Sequence, residues 1–481
     1  MKHFKIFFYF YCIGILVLLP ACRPEIDDSY PELDVFIYDF PQIFEVFWHG
    51  MNRNYLYWDI EPASPYWDST LSKLTSGERS SITSDPMVFW DIIHDHYKLK
   101  FEALGVFNNK DSPGYADAAN TAHEYFKDMT RGLRDGNFRI VFEDKEDINP
   151  GRDRRFNNLK TESTPGASGV FSFSDLTEAI VNLGEVPGDS ESLDVYMESE
   201  TEYFKKYNYV DNVICRYLDI AEKKLDLPEF KIVRGVIQLD DGIIIYLHYN
   251  HGSIFEMTES NSDIKAIYDE FLLDLEKPEV MGVIMDMRGN TGSSLMDTGF
   301  FWGRIVDELF TYSETRAKSG EARLDYGPWI PNRIIPAPEG EKKLANKDAK
   351  IIFLADRGTS SAAEFMIMAA KAYENGHVTG TNTMGAAGSA ALSGNNIAYN
   401  GGGFIMDHFI EYVSGAEVQN RGVTDKQIYE GIGIEPDNEI TMTNADWLNF
   451  YGQSGADPID KWLQAAIDII NLSHNASENI Q

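Results

Sequence analysis

Three apolar stripes at helical spacing open the patterned part of the chain. They are Phe44, Phe47, Trp48 and Met51; Phe89, Ile92, Ile93 and Tyr97; and Ala122, Tyr125, Phe126, Met129 and Leu133. Residues three and four apart share one face of a helix, so each stripe predicts an amphipathic helix. Asp85-Pro86 marks the start of the second, with an N-cap carboxylate followed by a first-turn proline. An Asp135-Gly136 turn then leads into a short strand, Phe138 to Phe142, and residues 39–143 read as a helical N-terminal domain. Residues 144–170 concentrate charge, Asn, Pro, Gly and Ser and read as a long loop. Helical spacing returns over 196–224, which makes 144–230 a loop and helical insert.

The texture changes at Lys231. Gly242 to Tyr249 and Val280 to Met287 are nearly continuous apolar runs, the pattern of strands covered on both faces. Lys350 to Ala355 is a third such strand, and helices are predicted at Asp297 to Phe310 and Ser361 to Tyr373. A last helix starts at Asp457-Pro458 and sets Ile459, Leu463, Ala466, Ile467 and Ile470 on one face. Residues 231–475 therefore read as an α/β domain.

Ahead of these elements, Lys2 and Lys5 precede an apolar run from Ile6 to Leu19. The run is shorter than the roughly 20 residues a membrane span needs, so it reads as a signal peptide over 1–21. It closes on Leu19-Pro20-Ala21-Cys22, which resembles a bacterial lipobox, and the alternative is an ordinary secretory signal with a coincidental cysteine. The lipobox reading makes Cys22 the acylated residue, residues 22–38 a polar tether and the lipid the membrane attachment. It implies a cell-envelope protein, periplasmic or at the outer-membrane surface of a Gram-negative bacterium. With Cys22 acylated, Cys215 has no disulfide partner in the mature chain and reads as a small buried hydrophobe, so stability must come from a core. The 43% hydrophobic content suffices for one. A net charge of -34 makes nucleic acid and anionic lipid surfaces unfavourable partners.

The segment from Lys350 to Glu364 runs from a buried strand through Asp356-Arg357-Gly358-Thr359 into a helix opened by Ser361. A hydroxyl there lies beside free helix N–H groups that favour developing negative charge, as a nucleophile requires. Ser361-x-x-Glu364 reads equally as a capping box that only completes the first turn. Three further segments bear on the choice: Asp286-Met287-Arg288-Gly289-Asn290-Thr291-Gly292 after a strand, Thr383-Met384-Gly385-Ala386-Ala387-Gly388 after the helix, and Gly431-Ile432-Gly433-Ile434-Glu435-Pro436-Asp437 later still. In this order they resemble the tail-specific (C-terminal processing) serine peptidase family and its tricorn-protease-core relatives, over roughly 235–475. The likeness extends more weakly to Leu133-Arg134-Asp135-Gly136-Asn137-Phe138.

That resemblance implies a crotonase/Clp-protease-like β-β-α core and hydrolysis of peptide bonds without a cofactor or metal. Its substrate would be a peptide or unfolded protein. The glycine-hydrophobic loop of a peptide-clamping PDZ module is not evident. Carried over by position, Ser361 matches the nucleophile, and the amides of Ala362, Gly289 and Gly292 match the oxyanion hole. The base does not carry over. Where serine–lysine members have lysine the chain has Ala386, and where tricorn-like members have histidine it has Asn137. Glu430 matches the supporting glutamate of the tricorn-type site. Neither alanine nor an amide accepts a serine proton, and loss of a general base costs ~10²–10⁴ in rate. Lys371 lies about 15 Å further along the same helix, and nothing marks His377 or His408 as a base. His94 and His96 point to different helix faces and make no metal pair. The sequence thus predicts a weak or impaired peptidase. The alternative is a non-catalytic protein binding a peptide or apolar ligand on the same fold. A glycan-binding helical-repeat lipoprotein is excluded by the strands after residue 235.

Overall fold

A computed structural model describes residues 39–151, 214–220, 230–249, 253–260, 262–292, 294–388, 404–405, 409–443, 446 and 460–478. The expected signal peptide, Cys22, the tether, His408 and most of 144–230 lie outside the described residues. Among the described residues no helix is long and apolar enough to cross a membrane.

The N-terminal stripes form helices α1 (Phe40–Asn54), α2 (Pro86–Glu102) and α3 (Tyr115–Thr130). Asp39 caps α1 by accepting from Gln42 N–H at 3.0 Å. Asp85 caps α2 through Met87 N–H at 2.8 Å, with Pro86 in the first turn. The stripe residues pack together, with Phe47 edge-on to Phe126 and Trp48 stacked on Trp90. The chain then enters β1 (Arg139–Phe142).

In the C-terminal region β2 (Ile214–Ile220), β3 (Phe230–Gln238), β4 (Ile243–Tyr249) and β5 (Val280–Asp286) are followed by β6 (Phe310–Ala317), β7 (Ile330–Ile334) and β8 (Lys350–Ala355). β9 (Gly376–Gly380), β10 (Phe404–Ile405), β11 (Ile410–Ser414), β12 (Val418–Gly422) and β13 (Asn438–Glu439) complete the set. A seven-stranded sheet has the order β13-β9-β8-β5-β4-β3-β2, parallel from β4 through β13 and antiparallel between β2, β3 and β4. Its three central strands are the three apolar runs of the sequence. Both of their faces are covered, which is why they do not alternate with polar residues. Ile245, Leu247, Val283, Met285, Ile351 and Phe353 pack under α5 (Ser262–Leu275), α6 (Met296–Trp302) and α7 (Ala362–Ala372), while a short α4 (Ile254–Ser260) precedes α5. Ile244, Tyr246, Ile284, Ile352 and Leu354 meet Trp462, Leu463, Ala466, Ile467 and Ile470 of α8 (Lys461–Glu478).

Two smaller sheets, β12-β6-β7 and β1-β11-β10, complete the architecture. In the second, Arg139 lies opposite Ser414 and Ile140 opposite Val413. Phe409, Ile410, Val413 and Ala416 thereby enter the same core as the N-terminal helices. The structure is the mixed α/β arrangement expected, with a helical N-terminal region.

Two elements differ from expectation. Within the helix read over 196–224, residues 214–220 are strand β2, hydrogen-bonded along its whole length to β3. The pairing satisfies a segment rich in Ile, Tyr and Leu that is equally at home in a strand. The helix read as Asp297 to Phe310 stops at Trp302. There the carbonyls of Gly303 and Arg304 accept Ala337 N–H and Leu344 N–H, so this backbone is spent on a returning loop instead of a further helical turn.

Candidate active site

The elbow at Ser361 is built from three strand exits. Beyond β8, Asp356 Oδ1 accepts N–H groups of Gly358 at 2.9 Å and Thr359 at 3.1 Å, and also Gly289 N–H at 2.9 Å from the turn after β5. Thr359 Oγ1 donates to Met287 O at 2.7 Å, and Ser360 N–H donates to Asn290 O at 3.0 Å. Asn290 Nδ2 in turn donates to Tyr249 O, at the end of β4, at 2.7 Å. Ser361 follows with φ 56° and ψ -126°, a left-handed setting that a non-glycine residue adopts only under constraint. Glu364 Oε2 accepts the Ser361 N–H at 3.1 Å in the manner of a capping box, and α7 starts at the next residue. Gly292 lies directly over this helix start. A Cβ there would come within 2.5 Å of Ala362 N and 2.6 Å of Ser360 O, so only glycine allows the approach.

The amides expected to form the oxyanion hole are therefore not equivalent. Gly289 spends its N–H on Asp356, which removes it from that role. Gly292 N–H is engaged by Asn290 Oδ1 at 2.8 Å, an internal acceptor with which an oxyanion would compete. Ala362 N–H has no hydrogen-bond partner among the described residues.

The opposite wall is the Asp135-Gly136-Asn137 turn. Asp135 accepts Asn137 N–H and Ala416 N–H, each at 2.8 Å. Gly136 N–H donates to Glu430 Oε1 and Gly388 N–H to Oε2, both at 2.7 Å. Asn137 Nδ2 donates to Gly388 O. A Cβ on Gly136 would lie 2.6 Å from Ala386 Cβ, so the turn and Ala386 are in direct contact. Ala386 is tied to the serine as well, because Glu364 Oε2 accepts both Ala386 N–H at 2.8 Å and Ser361 N–H at 3.1 Å. The structure thus brings Ser361, Asn137, Ala386 and Glu430 into one cluster.

No proton acceptor for the serine completes it among the described residues. Among the described residues no Lys, His, Asp or Glu side chain is hydrogen-bonded to Ser361 Oγ. Lys371 is paired with Asp437, and His377 Nδ1 lies 3.9 Å from the same carboxylate, beyond the far end of α7. Glu430 accepts from the amides of Gly136 and Gly388 and is also hydrogen-bonded with the Tyr57 hydroxyl, so it holds the 136 and 388 segments together. Burial pushes its carboxyl well up, and the charges of Asp135 and Glu364 push the same way. Burial also raises Glu364, against the hydrogen bonds that favour its ionised form. Among the described residues no group of three His, Cys, Asp or Glu could hold a metal.

Several residues that shape the site went unmarked in the sequence. Glu61 is buried and accepts Arg134 N–H at 2.7 Å, Trp67 Nε1–H at 3.1 Å and the Tyr55 hydroxyl, which fixes the approach to the 135–137 turn. Burial pushes its carboxyl up to about 7. At the end of β5, Arg288 bridges Asp286 and Asp460. Its Nε lies 2.9 Å from Asp286 Oδ1, and its Nη2 lies 2.8 Å from Asp460 Oδ2. This pins α8 to the end of β5. The Asp-x-Arg spacing was visible; the Asp460 partner carried no signal.

Comparison with known proteins agrees with this architecture. Residues 246–440 match the sequence model of peptidase family S41. Among solved structures, a Parabacteroides merdae protein named as a candidate peptidase is 17% identical, with a TM-score of 0.50 over 89% of this chain and 96% of its own. Mature CPAF is 10% identical over 87% of this chain and 95% of its own, with a TM-score of 0.46. The photosystem II D1 C-terminal processing protease is 13% identical over 48% of this chain and 56% of its own, with a TM-score of 0.29. No curated protein matches the chain in sequence. In sequence over residues 246–440 and in fold, the chain resembles peptidase family S41, the tail-specific serine peptidases.

Proposed function

We propose that the chain is a cell-envelope lipoprotein whose serine peptidase domain engages peptides or unfolded protein and hydrolyses them weakly or not at all. The observation that carries this reading is that the two base positions hold Asn137, bonded to Gly388 O, and Ala386, packed against Gly136 and tied through Glu364 to Ser361 N–H. An alcohol without an acceptor for its proton is a poor nucleophile near neutral pH. A fluorophosphonate should therefore label the wild-type protein no faster than Ser361→Ala. Rapid Ser361-dependent labelling would reveal a working base and overturn the reading.

A second reading, a peptide binder without hydrolysis, is favoured by the engagement of Gly289 N–H and Gly292 N–H within the protein. Two of three expected oxyanion donors already have acceptors, and holding a peptide needs no oxyanion. The lipoprotein part rests on the Leu19 to Cys22 segment alone. Cys22→Ala should abolish labelling by a fatty-acid probe; unchanged labelling and membrane retention would remove the anchor from the proposal.

A further inference from the structure

Glu364 is wholly buried, yet four donors converge on its carboxylate. Oε2 accepts from Ser361 N–H at 3.1 Å and Ala386 N–H at 2.8 Å; Oε1 accepts from Gly385 N–H at 2.9 Å and the Thr383 hydroxyl at 2.5 Å. A capping glutamate needs only the first of these. The other three come from the turn after β9, which the chain reaches only after passing through α7 and β9. Ser361, at φ 56°, is one of two described non-glycine residues with positive φ, and such a setting persists only where the surroundings impose it.

We propose that Glu364 is a positioning residue that holds the Ser361 elbow and locks the 383–386 turn against it, so that the hydroxyl and the base position keep one spacing. The inference rests on the reading of Ser361 as the reacting hydroxyl. A carboxylate accepts from both oxygens at once and donates from neither. Glutamine at 364 turns one end into a donor aimed at N–H groups, so one pair of bonds must open.

The test compares Glu364→Gln with Lys371→Ala, which removes an ion pair from the same helix away from the elbow. Amide hydrogen exchange is followed in the segments 359–366 and 381–388, and equilibrium binding of a peptide boronate is measured in parallel. Boron accepts a lone pair from Ser361 Oγ as the B–O bond forms, and the hydroxyl proton passes to solvent, so adduct formation reports on placement at equilibrium. In Glu364→Gln both segments should exchange at least tenfold faster, with 369–372 unchanged, and boronate should bind at least tenfold more weakly. Lys371→Ala should alter neither elbow segment. Wild-type protection of both segments in Glu364→Gln, or opening of 359–366 alone, would overturn the proposal. Boronate binding indifferent to Ser361→Ala would sink the serine-peptidase reading instead, while exchange still decides the role of Glu364. If Glu364→Gln does not accumulate as folded protein, adding Ser361→Gly should restore it, because glycine adopts positive φ without restraint; failure of that rescue also counts against the proposal.

Discussion

At the serine end of the site, a left-handed backbone is held by Asp356, Asn290 and Glu364, with Gly292 laid across the helix start. At the facing end, Glu430 accepts from Gly136 and Gly388, the Asn137 amide donates to Gly388 O, and Ala386 offers no polar side chain. The first end is defined by backbone geometry and buried carboxylates. The second would be defined, in an active peptidase, by one ionisable side chain. Those two kinds of definition fail independently. Alanine at 386 and asparagine at 137 are compatible with a full set of elbow hydrogen bonds, so a well-formed elbow says little about turnover.

The comparison is broken most directly through stability. Arg288→Ala would leave the buried carboxylates of Asp286 and Asp460 without their shared guanidinium, at a cost of about 3–5 kcal/mol. Asn137→Ala at the other end should cost about 1 kcal/mol, one hydrogen bond's worth. Denaturant titration of both variants measures the contrast, and equal losses would erase it. Next in size is repair of the weak end. A histidine at 137 can donate one ring N–H to Gly388 O, as the amide does now, leaving its other nitrogen to accept the serine proton. Asn137→His should raise the rate of fluorophosphonate labelling about 100-fold. An unchanged rate would mean that position 137 does not face the hydroxyl.

The smallest effect concerns the clasp that carries the 135–137 turn. Because burial raises Glu61 from its ordinary value to about 7, the folded protein holds that proton more tightly than the unfolded chain does. Its contribution to stability is fully present below pH 4.5 and is lost as pH rises through 7, by at most about 3 kcal/mol. Glu61→Gln should remove this slope, seen as a smaller fall in Tm between pH 5 and 8 than in wild type. An identical slope in the variant would place the titration elsewhere.

The legible parts of the molecule are those in which one local pattern suffices. Val280 to Met287 and Lys350 to Ala355 could be read as strands because covered faces demand unbroken apolar runs. The stripes of α1 to α3 were equally plain. The β12-β6-β7 sheet was invisible, since Phe310-Thr311-Tyr312-Ser313-Glu314-Thr315-Arg316-Ala317 mixes polar and apolar residues, and its strands are joined by side-chain hydrogen bonds such as Thr315 to Asn420. At the site, Asn137 and Ala386 could be singled out by position, and both stand in the cluster around Ser361. The engagement of Gly289 by Asp356 could not, because the two residues come from different strand exits. Glu364 appeared as a capping residue; the bonds that give it a wider role come from Thr383, Gly385 and Ala386, and no spacing rule connects them.

The ladder between β1 and β11 has a consequence for how the protein is made. Arg139 meets Ser414 only after most of the chain has left the ribosome, so Phe40, Phe44 and Phe47 cannot complete their core during early synthesis. Pairings this distant in sequence slow folding and leave apolar surface open to aggregation in the interval. A fragment limited to residues 246–440 would carry β11 without β1 and Phe409 without the N-terminal helices that cover it. The stretch that can be recognised as a peptidase domain is therefore not the stretch that can fold as one.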